Sequence, residues 1–176
     1  MGKNNDTKPG ADMHKISMMT FLIILLLSSG VCAVTPCQLF VIERSKNANL
    51  VIYEAQLDDA GTILPTTPVV AYWKLNATTG GKEALGMLDK KAYGFSVNKE
   101  GDIYRMVLAP VKKRPILLVN DGNTVRAQMV IGEQQSWLSK VYVKAKEGAF
   151  LPTVQYFELF GTAVAGGQTT YEKIVP

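Results

Sequence analysis

Between residues 39 and 175, apolar side chains recur at every second position in short runs, and turn-forming residues separate the runs. Period two is the spacing of a half-buried strand, not of a helix. The pattern predicts strands over Leu39–Glu43, Leu50–Leu57, Val69–Leu75, Tyr93–Val97, Ile103–Leu108, Pro115–Val119, Thr124–Ile131, Trp137–Ala145, Thr153–Phe160 and Thr170–Val175. In the second of these, Val51, Tyr53, Ala55 and Leu57 share a face. In Thr124–Ile131 the shared face carries Val125, Ala127, Met129 and Ile131. Asp58-Asp59-Ala60-Gly61 ends one strand by turn chemistry, and Asn98–Asp102 and Asn120-Asp121-Gly122-Asn123 predict hairpin loops. Lys82–Lys91 is a candidate short helix with Leu85 and Leu88 on one face, weakened by Gly86.

Nine or ten short strands without long crossover helices argue against a parallel sheet. They predict an all-β, mainly antiparallel fold: a lipocalin-like barrel or a β-sandwich with at most one short helix.

The first 33 residues break this period. Residues 1–15 are polar and include Lys3, Lys8 and Lys15, and only Ser17 and Thr20 interrupt the apolar run Ile16–Leu27. Ser28-Ser29-Gly30 follows, and Val31-Cys32-Ala33 forms a small-x-small site. A basic start, a short apolar stretch and a small-residue exit are the parts of a secretory signal. The run is shorter than the roughly 20 apolar residues that favour permanent spanning. The expected organisation is a signal peptide at 1–33, cut after Ala33, and a single β-rich domain at 34–176. The destination is then periplasmic or extracellular. An uncleaved anchor over Ile16–Val34, or a lipoprotein modified at Cys32, remains the alternative, although bulky Val31 suits the latter poorly.

Charge and reactive residues narrow the chemistry further. The leader takes three lysines and two aspartates with it, so the net charge of +4 falls to +3. The basic run Lys112-Lys113-Arg114 reads as a solvated turn, which gives no broad nucleic-acid face. The single histidine, His14, lies in the leader, and Cys37 is the lone thiol after the expected cut. The mature domain thus lacks the commonest general base and metal ligand, and a Ser-His-Asp or Cys-His site is excluded from it. No catalytic residue, metal or cofactor is expected.

Several segments carry a family resemblance. They are LFVIERSKNANLVIYEAQLD (39–58), PVVAYW (68–73), KAYGF (91–95), KVYVKAKEG (140–148), YFELFG (156–161) and YEKIVP (171–176). In order and combination they resemble the domain-of-unknown-function family 4833 of exported bacterial proteins, over essentially the whole mature domain. The resemblance implies export and the domain boundaries, and assigns no site residue.

Three places offer chemistry. Arg44, Lys46, Asn47 and Asn49, in the loop between the first two strands, could grip a carboxylate, phosphate or sugar, although turn chemistry alone accounts for most of that composition. Tyr72 and Trp73 alternate across one strand, so one ring faces the core while the other covers a surface or lines a pocket. Glu158 and Glu172 would sit opposite each other in a hairpin centred on Ala165, a pairing suited to glycoside hydrolysis. A one-residue shift sets Glu158 against Lys173 instead and avoids like-charge repulsion, and it is the favoured register. Asn76-Ala77-Thr78 is a glycosylation sequon, relevant only in a eukaryotic secretory host. The expected role is a non-enzymatic binding module of the bacterial envelope for a small ligand or a protein partner. Membrane contact is expected only through an uncleaved leader. A carboxylate-dependent hydrolase and a purely structural envelope protein are the alternatives.

Overall fold

The computed structural model describes residues 1–2, 34–45, 48–76, 80–122, 124–146 and 153–176. Residues 3–33 of the leader, with His14 and Cys32, lie outside the described residues, as do Ala77 and Thr78 of the sequon. The described residues form eleven strands and one short helix. They run β1 (Thr35–Arg44), β2 (Leu50–Leu57), β3 (Val69–Lys74), β4 (Lys82–Ala84), α1 (Met87–Tyr93), β5 (Phe95–Glu100), β6 (Ile103–Leu108), β7 (Ile116–Asp121), β8 (Thr124–Ile131), β9 (Gln134–Lys146), β10 (Thr153–Ala163) and β11 (Thr169–Ile174).

The strands form one curled, mostly antiparallel sheet in the order β4-β3-β2-β1-β9-β8-β7-β6-β5, with β10 and β11 added beside β9. The long strand β9 is the branch point. Antiparallel β10 pairs along most of one of its edges, from Ser136 to Lys146. On the other edge, β8 pairs with Gln134–Trp137 and β1 pairs in parallel with Lys140–Val143. Two wings, β1–β4 and β5–β8, therefore leave β9 from successive stretches of a single edge. They curl toward each other into a half-barrel whose end strands β4 and β5 do not pair with one another. The fold is all-β as expected. The parallel β1–β9 pairing makes the sheet mixed.

Both wings turn their alternate residues inward. Phe40, Val51 and Tyr53 from one meet Met106, Leu118, Ala127 and Ile131 from the other in a single buried cluster. Phe40 and Tyr53 stack with ring centroids 4.5 Å apart, and Phe95 meets Tyr53 edge-on at 5.8 Å.

The Lys82–Lys91 segment differs from expectation. Lys82–Ala84 pairs with β3 as a strand, and the helix begins only after Gly86. Asp89 accepts a hydrogen bond from the Gly86 N–H at 3.0 Å, which stabilises the helix start. Tyr93 ends the helix instead of opening a strand. Gly94 follows because a Cβ there would run into the carbonyl of Lys90.

Candidate functional site

Beneath α1 lies a cavity of about 270 Å³. Its floor is the inner face of three neighbouring strands. Parallel register sets Ile42 beside Val141 and Arg44 beside Val143, and β10 sets Phe157 opposite Val143. Residues two apart on a strand share a face, so these side chains converge on one surface. The roof is α1, through Leu88, Lys91, Ala92 and Tyr93. The turn after β6 closes one side with Pro110 and Val111. Among the described lining residues, all but Arg44 and Lys91 are aliphatic or aromatic, and none is a carboxylate.

The roof is fixed at its C-terminal end. The Tyr53 hydroxyl donates to the Tyr93 carbonyl at 2.6 Å, and the Tyr93 ring packs edge-on against Trp73 at 5.2 Å. Burial, with the nearby Tyr93 phenol adding to it, pushes the Tyr53 phenol far above its ordinary value, so it stays a donor. At the other end, Met87 and Leu88 are exposed. A second cavity of about 780 Å³ lies across α1, between the end strands of the two wings, and Lys90 and Lys112 reach it.

Arg44 differs electrostatically from the other three arginines. Arg105 pairs with Glu100 at 3.7 Å, Arg114 with Glu172 at 2.6 Å and Arg126 with Asp121 at 3.0 Å. Among the described residues, no carboxylate pairs with Arg44, which is half-buried at the cavity wall. Its neighbour Glu43 pairs with Lys140 at 3.3 Å.

The other expected site residues scatter. Lys46 and Asn47 lie outside the described residues. Asn49 is half-buried just before β2 and does not line the cavity. Ser45 ties the loop to the end of β9, donating to the Ala145 carbonyl at 3.3 Å and accepting from its N–H at 3.2 Å. Tyr72 and Trp73 point to opposite faces. Trp73 packs against the core, while the Tyr72 hydroxyl donates to Glu54 at 2.6 Å and its ring lies 4.3 Å from the Lys82 ammonium. Burial and, second, that Glu54 contact raise the Tyr72 phenol. Neither ring lines the cavity under α1.

Glu158 pairs with Lys173, and Glu172 pairs with Leu159. Adjacent strand positions face opposite ways, so the two carboxylates lie on opposite faces of the hairpin. Glu158 accepts from the Tyr171 hydroxyl at 2.9 Å, and Glu172 is clamped by Arg114 and the Gly132 N–H.

Lys91 and the roof of α1 were not among the expected site residues. The signal is present in Leu88, Lys91 and Ala92, whose i, i+3, i+4 spacing marks one helical face, but Gly86 interrupts the helical pattern just before them. Among the described residues, no three side chains of metal-ligating type converge. Cys37 is the one cysteine among them, with its Sγ 3.1 Å from Thr124 Oγ1. The site as built offers apolar contact and two positive charges.

No curated protein and no solved structure matches the chain. The family model described as "Domain of unknown function (DUF4833)" matches residues 40–173, and the chain belongs to that family.

Proposed function

We propose that this protein is an exported, non-enzymatic binding module that holds a small ligand in the cavity beneath α1. The observation that carries this reading is Arg44, a half-buried arginine at the wall of an apolar cavity with no described carboxylate beside it. A guanidinium taken partly out of water without a counter-charge is costly, and a bound anion offsets that cost. Export rests on the basic, apolar and small-residue succession of residues 1–33. The hydrolase alternative loses the carboxylate pair on which it stood, because the observed register separates Glu158 from Glu172.

The test is a thermal-shift screen of the purified protein against sugars, alkyl carboxylates and peptidoglycan fragments. A compound that binds only the native state raises Tm. At least one compound should do so, and Val154→Trp, which fills the cavity from its partly exposed wall, should abolish the shift. Ala92→Phe fills it from the exposed roof and guards against a folding defect in the first variant. Shifts equal in the wild type and both blocked variants would overturn the reading, as would no shift at all. Cell fractionation tests export separately, and retention of the uncleaved chain in the cytoplasm would overturn that part.

A further inference from the structure

We infer that the ligand is a single-chain amphiphilic anion, an alkyl chain ending in one carboxylate or phosphate, with its head on Arg44 and Lys91. This rests on the reading of the α1 cavity as a ligand site and narrows it to a chemical class.

Polarity supplies the first argument. Beyond the two cations, the floor and roof present alkyl and aromatic surface to whatever enters. A sugar or peptide buried there would leave several hydroxyls or amides without partners, and each such group carries a large desolvation penalty. An alkyl chain carries no such groups.

Placement of charge supplies the second. Arg44 comes from the floor at the end of β1 and Lys91 from the roof, two elements brought together only by the tertiary fold. Both reach one cavity that has no carboxylate among its described lining residues. The guanidinium offers a planar fork suited to two oxygens of one anionic head, and the ammonium adds a mobile point charge. A neutral or cationic ligand would bring no counter-charge to Arg44.

Size supplies the third. About 270 Å³ is at the small end of ligand cavities. It suits one short chain, not the paired tails of a membrane lipid. Exposed Leu88 at the roof gives a longer chain an apolar exit.

The test is isothermal titration of the full-length protein with decanoate, decyl phosphate, decan-1-ol and decyltrimethylammonium, each below its micelle concentration. A parallel arm uses phosphatidylglycerol vesicles. Decanoate or decyl phosphate should bind about tenfold or more tighter than decanol. Arg44→Gln should remove most of that difference, and Lys91→Gln a smaller part. Whichever anion binds better defines the head group, and either supports the inference. Equal binding of decanol and decanoate, with Arg44→Gln silent, would overturn the anion class and leave the cavity reading in place. So would a sugar or peptidoglycan fragment whose Tm shift Val154→Trp abolishes, if no decyl compound binds. Vesicle binding without decyl-compound binding would overturn the single-chain class. If no decyl compound binds and the thermal screen also fails, both readings fall together.

Discussion

The Tyr53 hydroxyl and the Tyr93 carbonyl, 2.6 Å apart, join the middle of β2 to the last turn of α1. Tyr53 is fully buried between Phe40 and Phe95, so this bond ties the cavity roof to the aromatic centre of the core. Tyr53→Phe keeps the ring packing and leaves the Tyr93 carbonyl without its donor. It should cost about 1–3 kcal/mol in urea denaturation, and amide exchange in α1 should accelerate more than exchange in β2. Unchanged α1 protection would show that the roof is held by something else.

Arg114 and Glu172 predict a pH dependence. The hydrogen bond from Arg114 is the main cause holding the Glu172 carboxyl below its ordinary value. Burial opposes it, and the Gly132 N–H adds to it. A carboxyl with a depressed folded pKa stabilises the fold above its unfolded value of about 4.3, and that contribution is lost as pH falls through the folded value. Glu172→Gln should therefore cost about 1 kcal/mol at neutral pH. The gap to the wild type should close as pH is lowered below 4, followed by denaturation midpoints. A gap independent of pH would contradict the ion pair as its source.

Gly161 sits where β10 shifts register against β9, between Phe160 and Gly161. A Cβ there would lie 2.5 Å from the Trp137 carbonyl oxygen and 2.8 Å from Ile131 Cδ1. Backbone cannot yield as a side chain can, so Gly161→Ala should lose about 1–3 kcal/mol. Thermal denaturation checks this, and wild-type stability would show that the β9–β10 crossing opens at little cost.

Tyr72 lies on the outer face, engaged by Glu54 and Lys82, away from the α1 cavity. Tyr72→Phe should change stability by less than about 1 kcal/mol, since the group is partly exposed. Decanoate affinity by titration should be unchanged. A large loss of affinity would place the ligand elsewhere.

Most of the sheet was legible from alternation. Leu50–Leu57 and Thr124–Ile131 match their strands end to end, because both are bounded by turn residues and alternate, the first from Tyr53 onward and the second throughout. The hairpin at Gly122, with φ of 64°, follows from glycine's tolerance of the left-handed region. The β8–β9 hairpin was less visible. Its turn uses Gly132 and Glu133, both at positive φ, and glutamate is a poor advertisement for such a turn. The expected strand accordingly began at Trp137 instead of Gln134.

The site was harder to read. Arg44 stood out as a loop cation, but its significance depends on the parallel pairing of Val41–Arg44 with Lys140–Val143, about a hundred residues away. No local pattern encodes that contact. Tyr72-Trp73 is an adjacent aromatic pair, yet its two faces serve the core and the outer surface. The favoured one-residue shift at Glu158 was readable because like charges oppose each other poorly across a hairpin.

The most direct test of the ligand site is a methyl-resolved NMR titration of the protein with decanoate. The methyls of Leu88, Val141, Val143 and Val154 should shift together and saturate with one Kd, while those of Val164 and Val175, at the far turn and the C-terminus, stay still. Linear, unsaturable shifts, or saturation centred away from α1, would contradict a ligand site beneath the helix.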